Sequence, residues 1–195
     1  IDVEKSVSEG VEGSKYLGEA SITNPRNPAT ERKAGRFFIK TLTHRDLSVE
    51  GIIRKYQWLK RKGLPVVPTL RYDRRTKTLL MTELSEGGKK ILVDRHFPLF
   101  VYGIRAEQIS NWDDLKTDIE TVATDAYDNG DGMELDDDNY LMVLDKTDAG
   151  YQGKVYLVDI GYGANFLKDL GSRRKQATLD ENIKWARVFI AEINK

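Results

Sequence analysis

The sequence predicts an α+β fold in which a β-rich N-terminal half is joined to an α-rich C-terminal half by a glycine-containing hinge. Three observations lead to this prediction. Short runs of aromatic and β-branched residues, typical of strands, recur through the first half. Apolar residues recur at helical spacing in three longer segments, two of them in the second half. The sequence SEGG at residues 85–88 interrupts both patterns and marks the junction.

The N-terminal half begins with a predicted hairpin. Gly10, Gly13 and Gly18 punctuate residues 10–23, which indicates a glycine-rich turn between two strands. Residues 24–35 are rich in proline, asparagine and charged residues, and we expect them to form a turn-rich connection.

A strand at residues 36–42 is followed by the first predicted helix. This helix ends at Gly63, and residues 68–73 and 78–84 then form two further strands. The apolar face of the helix consists of Val49, Ile52, Ile53, Tyr56 and Leu59.

The C-terminal half contains the other two predicted helices. The first starts near Ser110, which has capping-box spacing to Asp113, and the second opens at Thr178, which has the same spacing to Glu181. Between these helices, residues 140–144 and 154–158 are predicted to form a hairpin that turns at residues 148–150. Residues 92–106 show no clear pattern.

The composition favours a folded globular protein and excludes several kinds of functional site. Of 195 residues, 39% are hydrophobic and 32% are charged, which is typical of a folded globular chain. The absence of cysteine excludes disulfides, thiolate metal sites and cysteine nucleophiles. The two histidines, His44 and His96, are not expected to be catalytic. No apolar run approaches the roughly 20 residues that span a bilayer, and no signal-peptide pattern opens the chain, so we expect a soluble protein.

The charges are balanced in number but not in position. Lysine and arginine number 31, as do aspartate and glutamate, so a protein that is basic throughout and binds nucleic acid is not expected. Basic residues concentrate at 54–62 and 71–77, whereas residues 125–138 carry seven carboxylates and no lysine or arginine. Such an acidic run is often a solvated loop. A calcium loop is a weaker alternative, because Tyr127 occupies the position of the first calcium ligand.

Three short motifs in a fixed order carry the functional prediction. A lysine ends the apolar strand FFIK at residues 37–40, the acidic sequence ELDDDN at 134–139 precedes an apolar strand, and DIG at 159–161 ends another. Together they resemble the motifs of the protein-kinase-like superfamily, which includes aminoglycoside and choline kinases: V-A-I-K, H-R-D-L-x-x-x-N and D-F-G.

This resemblance covers roughly residues 8–162. It implies a two-lobed kinase-like fold with a β-rich N-terminal lobe at 1–84 and a truncated, α-rich C-terminal lobe at 85–195. The implied activity is a kinase reaction that uses ATP and Mg²⁺. The short C-terminal lobe favours an exposed site and a protein substrate that accepts phosphate on a Ser, Thr or Tyr hydroxyl.

The resemblance also implies which residues contact the nucleotide. Lys40 orients the phosphates and Glu50 holds Lys40 in place, while Gly10 and Gly13 lie where a glycine-rich loop covers the phosphates. The hinge is expected to hydrogen-bond the adenine through the backbone of Glu83 and Ser85.

The implied metal ligands are Asn139 and Asp159, whose oxygen atoms suit Mg²⁺. The position of the catalytic aspartate holds Glu134, and a glutamate is one methylene longer. Either Glu134 or Asp136 is therefore the catalytic base. The same departure leaves an alternative open, which is a pseudokinase or nucleotide-binding interaction module that transfers no phosphoryl group.

Overall fold

A computed structural model describes most of the chain. The described residues are 2–10, 13–24, 27–42, 49–67, 69–73, 75–86, 88–128, 135–158 and 172–195, and side chains are described at 41, 50–67, 75–86, 88–126, 135–158 and 177–195. Within those residues the protein is a mixed α/β structure with three α-helices and two antiparallel sheets. The buried apolar side chains form one cluster to which all three helices and both sheets contribute.

The first sheet has five strands in the order β1-β2-β3-β5-β4, and all neighbouring strands are antiparallel. Strands joined by short turns pair directly, because antiparallel neighbours need only a hairpin between them. The strands are β1 (Asp2–Gly10), β2 (Gly13–Asn24), β3 (Asn27–Leu42), β4 (Thr69–Asp73) and β5 (Thr78–Thr82).

The predicted turn-rich connection at residues 24–35 is wrong. Most of it belongs to β3, which pairs with β2 as far as the contact between Asn24 and Asn27. Pairing along the sheet has therefore overridden the local preference of these residues for turns.

Helix α1 (Val49–Arg61) connects β3 to β4 and matches the predicted helix. Four of the five residues predicted on its apolar face have described side chains, and all four are buried: Ile52, Ile53, Tyr56 and Leu59. The 3.6-residue period therefore predicted this helix correctly.

The second sheet has three strands in the order β6-β7-β8: β6 (Ile91–Val93), β7 (Tyr140–Thr147) and β8 (Gly150–Leu157). The predicted hairpin of β7 and β8 is confirmed. It turns at Gly150, whose φ of 128° is unfavourable for other residues. Strand β6 was not predicted, because three residues are too few to show an alternating pattern.

The other two helices are α2 (Trp112–Asp128) and α3 (Ser172–Ile193). Both predicted capping boxes are wrong. The hydroxyl of Ser110 donates to the carbonyl of Tyr151 at 3.1 Å instead of capping α2. Thr178 lies inside α3, where it is buried, so this helix starts earlier than predicted.

Backbone hydrogen bonds join the segment after α1 to the end of β8. The Leu157 amide donates to the Pro65 carbonyl at 2.6 Å, and the Val67 amide donates to the Leu157 carbonyl at 3.1 Å. The end of β8 is therefore held against the chain that leads from α1 to β4. Among the described residues, no helix is both long and apolar enough to cross a membrane.

Candidate functional site

Residues 136–139, which we call the acidic turn, lie immediately before β7. Within them Asp137–Asn139 form a short 3₁₀ helix, and Asp136 is its N-cap. The Asp136 carboxylate accepts a hydrogen bond from the Asp138 amide at 3.0 Å, and the Asp136 amide donates to Asn139 Oδ1 at 3.0 Å. Aspartate caps helical turns well because its side chain satisfies amides that have no partner within the turn. Two candidate site residues, Asp136 and Asn139, thus hold each other in one turn.

Asn139 also attaches the acidic turn to the end of β8. The Val158 amide donates to the Asn139 carbonyl at 2.9 Å, and Asn139 Nδ2 donates to the Val158 carbonyl at 3.4 Å. Asp159 follows Val158 directly but lies outside the described residues. The described contact to Asn139 therefore reaches Val158, the residue before the second predicted metal ligand in the sequence.

A buried asparagine from α3 fixes the start of the acidic turn. Asn182 is 1% exposed; its Oδ1 accepts from the Leu135 amide at 2.8 Å and its Nδ2 donates to the Ala123 carbonyl at 3.4 Å. This residue was missed in the sequence. The signal that could have found it is an amide side chain on the buried face of α3, four residues before Ala186.

Arg95 supplies the opposite charge to the acidic turn. Its guanidinium donates to Asp137 at 3.0 Å and lies 2.7 Å from an oxygen of Asp138. His96 Nε2 lies 3.5 Å from the same Asp138 oxygen. Asp137 is only 7% exposed, so the arginine stabilises a carboxylate that would be costly to bury alone. Arg95 was missed because residues 92–106 show no pattern.

The electrostatics of Asp136 suit a general base. Partial burial of its carboxyl group raises its pKa, and the negative charges of Asp138 and Asp137 raise it further. The hydrogen bond from the Asp138 amide and the charge of Arg95 oppose this shift without cancelling it. A carboxylate with a raised pKa accepts a proton more readily near neutral pH.

The first sheet brings the predicted phosphate-binding residues to one end. Gly10 pairs with Gly13 where the hairpin of β1 and β2 closes. Gly13 also pairs with Leu42, and Lys15 pairs with Lys40, so Lys40 lies two residues along β3 from the partner of Gly13. The backbone therefore places the glycines and the lysine together.

Glu50 lies in the first turn of α1 and is half-buried. Its carbonyl accepts a hydrogen bond from Arg54 Nε at 3.3 Å. The side chain of Lys40 lies outside the described side chains, so the ion pair between Lys40 and Glu50 stays a prediction.

The predicted hinge follows β5 as a turn. The hydroxyl of Ser85 donates to the carboxylate of Glu83 in a short hydrogen bond. The carbonyl of Ser85 accepts from the amides of Gly88 at 3.0 Å and Lys90 at 2.9 Å. These contacts give the segment a defined shape, and they use the Ser85 carbonyl within the turn.

Two of the predicted site residues, Glu134 and Asp159, lie outside the described residues. Their roles as base and metal ligand stay predictions. In the part of the chain that the structure describes, no three acidic or histidine side chains converge as a metal site would require.

Comparison with known proteins adds no assignment, since no protein-family model and no curated protein matches the chain. Its function therefore has to be inferred from its own residues.

Proposed function

We propose that this protein is a phosphotransferase with a minimal, two-lobed kinase-like fold, which transfers the γ-phosphoryl group of ATP to a hydroxyl of a protein substrate with the help of Mg²⁺. The observation that carries the proposal is the pair of hydrogen bonds between Asn139 and Val158. These bonds join the acidic turn to the residue before Asp159. A loop asparagine and an aspartate after the next hairpin are the magnesium ligands of a kinase-like site.

The first sheet supports the nucleotide half of this proposal. The hairpin closed by Gly10 and Gly13 lies beside the strand that carries Lys40, and a helix with Glu50 in its first turn follows. Phosphoryl transfer depends mainly on positioning and on neutralising charge. A lysine at the end of a strand can neutralise phosphate charge, because its ammonium group acts as a point charge on phosphate.

The hinge would receive the adenine. The Ser85 carbonyl already accepts hydrogen bonds from the amides of Gly88 and Lys90. In this proposal the adenine therefore hydrogen-bonds to the Ser85 amide and to the backbone of Glu83.

The residues present fit Mg²⁺ by their chemistry. Asn139 Oδ1 and the Asp159 carboxylate are hard oxygen donors, and magnesium takes one or two such protein ligands and fills its other positions with phosphate and water. The hydrogen bond that Asn139 Oδ1 accepts from Asp136 does not exclude a metal contact, because an amide oxygen has two acceptor positions. When bound, the ion would neutralise charge on the transferred phosphate.

Glu134 and Asp136 remain the two candidates for the base that accepts the proton of the substrate hydroxyl. The raised pKa of Asp136 favours this residue, while the position of Glu134 in the motif favours the other. Glu134→Gln and Asp136→Asn, assayed separately, assign the role to the variant that loses transfer.

The test of the proposal is transfer of labelled phosphate from ATP to the chain itself or to a mixed protein substrate. We expect Lys40→Ala and Asp159→Ala each to lower transfer by at least about 100-fold, which is typical when one transition-state contact is lost. The exposed residues Lys146 and Asp145 provide matched alanine controls, which should keep full transfer. Equal transfer by all four variants, or none by the folded wild-type chain, contradicts the proposal.

A specific observation favours a second candidate, a nucleotide-binding module without transfer. Asp136 and Asn139 already use their side chains to hold the acidic turn together. This candidate predicts that ATP with Mg²⁺ raises the melting temperature and that Lys40→Ala abolishes the increase, although no phosphate is transferred.

A further inference from the structure

The exposed apolar side chains of this protein are concentrated in one place. Among the side chains that the structure describes, the large hydrophobic ones that are exposed all fall in residues 97–102, which we call the aromatic turn. The exposed fractions are 54% for Phe97, 60% for Phe100, 50% for Val101 and 41% for Tyr102. Isolated exposed apolar residues need no explanation, but a contiguous patch marks an interaction site.

Buried side chains and backbone hydrogen bonds fix the conformation of the aromatic turn. Leu99, within the turn, is 2% exposed, and Ile104, two residues after it, is 4% exposed, so both side chains belong to the core. The Ile104 amide donates to the Leu99 carbonyl at 3.1 Å, and the amide of Gly103, which has a φ of 67°, donates to the Phe100 carbonyl at 3.0 Å. A preformed surface loses little conformational entropy when it binds.

Tyr102 and Phe97 are fixed individually. The Tyr102 hydroxyl donates to the Leu92 carbonyl of β6 at 2.8 Å. The Asp94 carboxylate accepts from the amides of His96 and Phe97, both at 2.8 Å. Burial raises the pKa of the Tyr102 phenol, and the negative charge of Asp94 raises it further. A carboxylate therefore stands at the edge of the apolar surface.

The acidic turn continues this acidic edge. Arg95 and His96 immediately precede the aromatic turn, and both contact Asp138. Four carboxylates and one guanidinium make up the edge, so its formal charge is −3: Asp94, Arg95, Asp136, Asp137 and Asp138.

We propose that the aromatic turn and its acidic edge form a docking surface for a basic segment of a partner protein, in which lysine or arginine alternates with leucine or phenylalanine. Apolar side chains of the segment would pack on Phe97, Phe100 and Val101, and its basic side chains would meet the acidic edge. Complementary charge selects such a partner and speeds its association. The same acidic edge repels anionic lipid and nucleic acid, which excludes them as partners of this surface.

Fluorescence anisotropy of the whole chain with three synthetic peptides of about 12 residues tests this proposal, since such segments bind through a few anchoring side chains. The first peptide alternates Lys and Arg with Leu and Phe, the second has Glu in place of the basic residues, and the third has Ser in place of the apolar residues. Only the first should bind well, and added salt should weaken its binding. No ATP is present, so the result is independent of the proposed phosphoryl transfer.

Two variants and one control locate the binding. Phe100→Ser combined with Val101→Ser should weaken binding by at least about tenfold, as expected when an apolar anchor is lost. Asp94→Asn should weaken it by about threefold, since the amide oxygen keeps both hydrogen bonds and only the charge is lost. Asp145→Asn, at a 52% exposed carboxylate elsewhere, should have no effect. Melting curves confirm that each variant is folded.

The proposal is overturned if the three peptides bind equally, or if the serine double variant binds the first peptide as well as the wild-type chain does. It is also overturned if sedimentation shows that the wild-type chain self-associates and the double variant does not. The occupant of the surface would then be a second copy of this chain.

Discussion

The acidic turn and the aromatic turn each contain a single turn of 3₁₀ helix, Asp137–Asn139 in the first and Leu99–Tyr102 in the second, but one buries a charged side chain and the other exposes apolar ones. In the acidic turn the charged residue Asp137 is 7% exposed. In the aromatic turn the apolar residue Phe100 is 60% exposed. Arg95 lies between them in space, because it stands two residues before Phe97 and contacts Asp137.

The comparison shows that the charged side chains of the acidic turn have partners within the protein, whereas the apolar side chains of the aromatic turn face solvent. Burying a carboxylate is unfavourable unless it is paired, and the acidic turn has Arg95 for this purpose and Asn182 to hold its start. An exposed phenylalanine contributes little to folding, because it remains in contact with water as it does in the unfolded chain. Internal contacts therefore account for the acidic turn, whereas the exposed face of the aromatic turn is the surface for which a partner is proposed.

The largest expected contrast lies within the aromatic turn, between two adjacent residues. Leu99→Ala removes a fully buried side chain and should lower the free energy of unfolding by about 3 kcal/mol. Phe100→Ala should change it by less than about 0.5 kcal/mol, because its side chain is mostly in solvent. Urea denaturation of both variants measures the contrast. Equal losses would mean that Phe100 is part of the core.

The next largest loss of stability is expected from a substitution at Asn182, which holds the start of the acidic turn. Asn182→Ala leaves the buried Leu135 amide without its acceptor and should cost about 2 kcal/mol. Lys184→Ala, at an exposed position of the same helix, is the control and should cost less than about 0.5 kcal/mol. A loss for Asn182→Ala no greater than the control would show that the acidic turn holds its position without α3.

Arg95 connects the two turns, and its removal should be somewhat less costly. Arg95→Ala leaves Asp137 buried without its counter-charge, and because the arginine is 35% exposed we expect a loss of about 1.5 kcal/mol. In an Asp137→Asn background the same substitution should cost clearly less, since no buried charge remains. If the two costs are equal in urea denaturation, the ion pair does not stabilise the acidic turn.

A substitution at Tyr140, the residue after the acidic turn, should raise the stability of the protein, whereas the substitutions above lower it. Its ring is 1% exposed and packs 5.4 Å from that of Phe189, but its hydroxyl has no hydrogen-bond partner among the described residues. Burial raises the pKa of this phenol. Tyr140→Phe removes an unsatisfied polar group and should stabilise the fold by about 1 kcal/mol in thermal denaturation. Destabilisation would reveal a partner for the hydroxyl.

The smallest effect is the pH dependence of Asp136. Its pKa in the folded protein is raised above the ordinary value of 3.8, so the folded state binds this proton more tightly than the unfolded state. This contribution to stability therefore falls as the pH rises from about 3.8 through the folded pKa, and is constant at higher pH.

Asp136→Asn keeps an acceptor for the Asp138 amide and removes the charge. It should therefore be more stable than wild type at pH 7, by less than about 1 kcal/mol because solvent screens the carboxylate. The difference should shrink towards pH 4. A difference that grows as the pH falls would mean that the pKa is lowered instead.

Local patterns predicted much of the fold but little of what surrounds the candidate site. Helix α1 and the hairpin of β7 and β8 follow from periodicities within one segment. Helix α2 starts within two residues of the predicted position, but its capping box was predicted wrongly, because Ser110 hydrogen-bonds to a residue 41 positions away. The start of α3 was predicted wrongly, because Thr178 lies inside a longer helix. Capping signals depend only on residues near one another in the sequence. At Ser110 and at Thr178, contacts with distant residues or a longer helix replaced the predicted capping boxes.

Local sequence patterns account for the types and order of most elements, and the resemblance to kinase motifs drew attention to Lys40, Asp136, Asn139 and Asp159. The burial of Asp137, the arginine that neutralises it and the asparagine that holds the acidic turn in place are set by tertiary contacts. Arg95 meets Asp137 across 42 positions of the chain, and Asn182 meets Leu135 across 47. No local pattern encodes such contacts, because they form only when distant segments pack against one another.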